Sequence, residues 1–325
     1  MRLSLALALT LLGAGFARAA DTPPPLRFGT LVPDGTAWAR ELKAFGREIE
    51  DGAHVRVKFY WGGIAGDERE IVARIRRGQL DGAAGAAMCT DLAPSLQVTR
   101  LQGIFPSRAV HERLVRQIPH VDDEFKKAGF VLLGVGGLGP SIIFTKRPVT
   151  SWDELKKLRL WRWELDPVAW QQDRMMGLNV VPGSVDGGGA MFDGGKVDGF
   201  VALAASALAF QWQSRAPNIL PLEMDYLNAC FIVSLTAWDA LPIEAQQVIR
   251  AAGAKLQQRM EIVGRETDRV VLSGSLTGGG VHASTVPAAT REAFRAAARA
   301  TRDRAAGEGH VPADALQWMQ HQLGK

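Results

Sequence analysis

Phe130-Val131-Leu132-Leu133-Gly134-Val135-Gly136-Gly137-Leu138-Gly139-Pro140-Ser141-Ile142-Ile143-Phe144-Thr145 is the stretch on which the fold turns. Phe130 to Gly134 is a continuous apolar run, as expected of a strand buried on both faces. Gly134 to Gly139 then matches G-x-G-x-x-G, the dinucleotide fingerprint, directly after that strand. The fingerprint works only where a helix opens behind the glycines, because the first N–H groups of that helix hold the pyrophosphate. Here Ser141 to Thr145 carries Ile142, Ile143 and Phe144, which reads as a second strand. The stretch therefore predicts a strand, a glycine-rich interdomain turn and a crossing strand. No nucleotide cofactor is expected.

Outward from this stretch, strands and helices alternate. Leu26 to Thr30 reads as a strand, and Trp38, Leu42, Phe45 and Ile49 mark one helical face. Val55, Val57 and Phe59 alternate with Arg56 and Lys58, a half-buried strand. Asp67 is placed to open a helix carrying Ile71, Val72 and Ile75, which Gly78 ends. A small-residue stretch, Gly82 to Met88, follows. Ser151 with Glu154 makes a capping-box pattern. Leu158 to Trp163, Val197 to Val201 and Cys230 to Leu235 read as strands. Ile243 to about Val271 is one long helix with Val248, Ala252, Leu256, Met260 and Val263 on a face. Pro287 to Ala306 is an Ala/Arg-rich helix. This order predicts two α/β lobes with largely parallel sheets.

The chain has 325 residues, 47% hydrophobic and 22% charged, enough for real cores and too apolar for disorder. Arg2, the apolar Leu3 to Leu12 and Ala17-Arg18-Ala19 form a signal-peptide pattern with cleavage after Ala19. Removing Arg2 and Arg18 lowers the net charge from +4 to +2, no basic footprint for nucleic acid. Export is therefore expected. Cys89 and Cys230 are too few for a disulfide framework or a four-Cys zinc site, and whether they pair is left open.

Other motifs fail on inspection. His111-Glu112 starts like a metalloprotease helix, but Val115 stands where the second ligand belongs. The six histidines are scattered, so no metal is expected. No serine sits in G-x-S-x-G, and nothing in the sequence supports an enzyme. What remains is an aromatic strand. Arg159, Trp161 and Trp163 alternate onto one face, and Trp170 follows on the next helix. The tryptophans read as packing or as a ligand-facing wall. Arg159 reads as a salt-bridge residue or as a carboxylate clamp.

Several segments together resemble the periplasmic substrate-binding subunits of TRAP transporters, the C4-dicarboxylate-type family. Gly62-Gly63-Ile64-Ala65-Gly66-Asp67-Glu68-Arg69-Glu70 is similar to its Gly-x-x-Gly-Asp-Glu-Arg-Glu segment, and Gly78-Gln79-Leu80-Asp81-Gly82 follows at the family's spacing. Glu154 to Leu160, Gly195-Lys196-Val197-Asp198-Gly199 and Trp238-Asp239-Ala240-Leu241-Pro242 look like three further family segments in order. The resemblance covers most of the chain after the leader. It implies a two-lobe periplasmic-binding-protein-like (flytrap) α/β fold, with the helix Ile243 to Val271 spanning both lobes. The expected division is 1–19 as leader, 20–139 with about 228–258 as lobe I, and 140–227 with about 259–325 as lobe II. It implies a periplasmic location, a small-molecule ligand in the interlobe cleft and a TRAP-type membrane permease as partner.

The departures bear on the ligand. Residue by residue, Arg159 falls on the Lys of the family's Leu-Lys-x-Arg segment and Trp161 on its carboxylate-binding Arg. Ser141 stands where members often have a second Arg, and Phe200-Val201 replaces Glu-Asn. A buried carboxylate without a cation is costly. The expected ligand is therefore hydrophobic or amphipathic, with a monocarboxylate held by Arg159 or Arg162 as the alternative. A ligand sensor for a signalling receptor, and less so a periplasmic enzyme, remain as other functions. The expected ligand-binding residues are Trp161, Trp163, Arg159, Phe200, Gln211, Trp38, Met88 and Phe105.

Overall fold

The computed structural model describes residues 25–273 and 280–324. The expected leader, 1–19, lies outside the described residues. Among the described residues ten strands form: β1 (Leu26–Thr30), β2 (Val57–Tyr60), β3 (Gly82–Gly85), β4 (Phe130–Thr145), β5 (Arg159–Trp163), β6 (Asn179–Gly183), β7 (Gly199–Leu203), β8 (Asn218–Leu220), β9 (Tyr226–Ser234) and β10 (His282–Ala283). The first lobe's sheet runs β2-β1-β3-β9-β4 and the second continues β4-β7-β5-β6, with β8 and β10 on the side of β4. Within each lobe the short strands are parallel, β2, β1 and β3 in one and β7, β5 and β6 in the other.

The glycine-rich run is not the expected turn. β4 passes straight through it, pairing with β9 up to Pro140 and with β7 and β8 from Ser141 to Thr145. Register shifts at Leu132/Gly134 and Gly137/Gly139 absorb the change as bulges, which bend and twist a strand without ending it. The glycines serve close packing. A Cβ on Gly136 would come within 2.8 Å of the Gln257 side chain. In return, Cβ atoms on Gly253 and Gly264 of the helix Ile243–Leu272 would lie 2.6 Å from the carbonyl oxygens of Leu133 and Leu138. Helix backbone thus lies directly on strand backbone across the seam between the sheets.

Local signals behave as the sequence implies. Thr36 caps Ala37–Ala53, whose Trp38, Leu42, Phe45 and Ile49 are all buried. Asp67 caps Glu68–Arg76, and Ser151 with Glu154 completes a capping box. On the long helix, Ile249 is sealed where Val248 was expected to lead the buried face. Cys89 and Cys230 form a disulfide across a sequence separation of 141, joining the short helix Ala87–Leu92 to β9. The end of the chain differs from the expected division. The helix Ala288–Gly307 packs on second-lobe helices, but Ala315 and Met319 of Ala313–Gln322 join the first-lobe core.

Candidate ligand-binding site

The carboxyl ends of the parallel strands of both lobes converge on one cavity of about 120 Å³, the usual place for a ligand in α/β sheets. From the first lobe come Thr30 to Val32 after β1, Ala84 to Ala86 ending β3, and Trp38. The shared elements add Leu138 and Ser141 of β4, Ala229 and Phe231 of β9, and Met260 of the long helix. The second lobe supplies Trp161 and Trp163 of β5, Val201 to Leu203 of β7, and Trp212. The indole N–H groups of Trp38 and Trp161 find no acceptor among the described residues. Trp161 Nε1 lies beside Gly183, where a Cβ would come within 2.7 Å of it.

The expected site residues divide. Trp38, Trp161 and Trp163 line the cavity. Phe200 is sealed one layer behind, its ring stacked on Trp212 at 4.8 Å. Met88 is buried in the first-lobe core, where its backbone N–H serves Glu68. Phe105 packs edge-on against His111 and Tyr226, away from the cavity. Gln211 is exposed, in a left-handed backbone conformation outside the cavity lining. Arg159 stands at the wrong end of its strand. The cavity is at the carboxyl end of β5, and Arg159 begins it, roughly 13 Å away along an extended strand. There its guanidinium is held by Asp198 at 2.8 and 3.0 Å.

Arg162 does reach the cavity floor, as does Arg100, and neither is free. Arg162 Nε donates to Asp173 at 2.7 Å, and its Nη2 to Asp225. Arg100 meets Asp166 and, at 2.8 Å, Asp225. Gln102 Nε2 donates to Asp173 at 2.9 Å and Asp225 at 3.0 Å, and Ser141 Oγ donates to Asp225 at 2.8 Å. All five charged side chains are at most 7% exposed. Three carboxylates therefore surround two guanidiniums. Burial pushes Asp225 up, but Arg100 and Arg162 together bring it below the usual carboxylate range. For Asp173 burial wins over Arg162 and raises it to about 6.

Glu68 completes the wall. Its two oxygens accept the backbone N–H groups of Ala86 and Met88, both at 2.8 Å. Burial raises its carboxyl to about 7 against those two donors. Sequence reasoning quoted Glu68 in a motif without giving it a role, and missed Arg100, Asp166, Asp173 and Asp225. No local pattern marks them, since they are brought together from three separate segments, Asp166 and Asp173 sharing one helix.

A family model described as bacterial extracellular solute-binding protein, family 7, matches residues 28–308. The chain belongs to that family. Solved structures of TRAP periplasmic solute-binding proteins share the fold of this family 7 protein at low identity. One, from Chromohalobacter salexigens with bound D-glucuronate, is 20% identical, with a TM-score of 0.82 over 91% of this chain and 99% of that one. The sugar acid binding protein of Advenella mimigardefordensis, in complex with galactonate, is 17% identical, with a TM-score of 0.84 over 93% and 98%. An extracytoplasmic solute receptor of Bordetella pertussis binding pyroglutamic acid is 18% identical, with a TM-score of 0.83 over 93% and 100%. The ligands bound by these neighbours are organic acids, unlike the hydrophobic ligand expected above. No curated protein sequence matches the chain.

Proposed function

We propose that this protein is the exported, periplasmic receptor of a TRAP-type permease, and that its cleft takes an uncharged ligand with an apolar body. One observation carries the ligand class: every arginine at the cavity is already paired. A ligand carboxylate placed there would meet a network with more carboxylates than guanidiniums. Desolvating it without a free cation costs several kcal/mol, on the order of what binding gains. Apolar wall and indole N–H donors suit a ring or short chain bearing a hydrogen-bond acceptor. The organic acids bound by the structural neighbours favour a second reading, a monocarboxylate that displaces Asp173 or Asp225 from Arg162.

An isosteric pair separates the two. Calorimetry should rank phenylacetamide above phenylacetate by at least about tenfold, or 1.4 kcal/mol. The reverse order overturns the uncharged reading in favour of the acid. Trp161→Ala should weaken the preferred compound by a similar factor. Unchanged affinity would remove Trp161 from the site.

A further inference from the structure

A second, larger cavity of about 590 Å³ lies apart from the cleft. Its apolar floor is Phe105, Leu222, Phe294 and Ala298. Its rim is the Ala/Arg-rich helix Ala288–Gly307, which sends Arg291, Arg295, Arg299 and Arg302 into the lining. Their spacings of four, four and three put them on one helical face. Like charges so placed repel one another. The groove does little to relieve this. Arg299 meets Glu292 at 3.3 Å and Arg302 donates to the Gln102 carbonyl oxygen. The Arg291 and Arg295 side chains are exposed and have no hydrogen-bond or ion-pair partner among the described residues. Glu223 is the only carboxylate in the lining among the described residues, and the Tyr226 hydroxyl donates to it at 2.6 Å.

We infer that this groove binds an amphipathic anion, with a carboxylate head on an apolar chain. The head would lie along Arg291, Arg295 and Arg299, where a fork of N–H donors matches a carboxylate. The chain would lie on Phe294, Leu222 and Phe105. The volume is within the range of small-molecule sites. The site is independent of the uncharged-ligand reading of the cleft, whose arginines are all paired.

Decanoate is the probe, with 1-decanol as its uncharged counterpart, measured by calorimetry on the whole mature chain. Decanoate should bind at one site. The double variant Arg291→Ser with Arg295→Ser, at two exposed positions, should weaken it at least tenfold. Raising the salt from 50 to 500 mM should weaken it several-fold, about as expected for exposed charges. Trp161→Ala should leave it unchanged, and decanol should bind at least tenfold more weakly. No binding of decanoate, or binding that the double variant leaves intact, overturns the inference. Loss through Trp161→Ala instead would place the acid in the cleft and count against both readings.

Discussion

In the cleft, Arg100 and Arg162 are sealed among three aspartates, whereas in the second groove the Arg291 and Arg295 side chains stand in solvent with no partner among the described residues. The two regions hold the same residue type for opposite ends. A buried guanidinium that already faces carboxylates is part of the scaffold, and it holds the lobes in register. An exposed one without a carboxylate is available to a ligand. The presence of arginine in a cavity is therefore weak evidence for acid binding until its partners are counted.

The sharpest break of that contrast is a pair of alanine variants. Arg162→Ala leaves Asp173 and Asp225 buried without their cation, and should cost about 3–5 kcal/mol in denaturant unfolding. Arg295→Ala should stay within about 0.5 kcal/mol. Equal effects would abolish the distinction. A smaller effect concerns the cleft wall alone. Reducing Cys89–Cys230 frees the short helix whose amides hold Glu68, and should lower stability by about 2–4 kcal/mol, read as a shift in thermal midpoint. An unchanged midpoint would mean the wall holds without the bridge.

The smallest test addresses the layer between the two cavities. His111 is buried against Phe105 and Tyr226 and bonded to Asn228 at 2.6 Å. Burial, with Arg100 and Arg108 nearby, brings its pKa down to about 3, against the hydrogen bond its Nε2–H donates to Asn228 Oδ1 and the charge of Asp225. A lowered folded-state value means stability present above the unfolded value near 6.5 and lost as pH falls toward 3. Between pH 6.5 and 4.5 the loss should be about 2–3 kcal/mol. His111→Gln should flatten unfolding over that window. An equal slope in both proteins would show that other groups set the acid response.

Much of the fold was legible because its signals are local. Caps at Thr36, Asp67 and Ser151, and the long apolar periodicity after Ile243, need no distant partner to be read. The glycine run was misread because its glycines answer to a helix more than a hundred residues away. β6 and β8 went unread. Asn179–Gly183 contains a proline and β8 is only three residues long, so neither gives an alternation. At the candidate site, tryptophan spacing put Trp161 and Trp163 on one face, the face that lines the cavity. The Arg159 clamp failed on strand direction, since alternation gives the face of a strand but not which end meets the cavity. The Arg–Asp network was illegible altogether, as its members are recognisable only by who faces whom.

β4 belongs to both sheets, and the long helix lies on it through Gly136, Gly253 and Gly264. Neither lobe is then a portable module. A recombination point between them would have to cut a hydrogen-bonded strand and a glycine-fitted helix at once. New binding preferences in such a scaffold would be reached by exchanging side chains at the carboxyl ends of the strands, with the two halves inherited together.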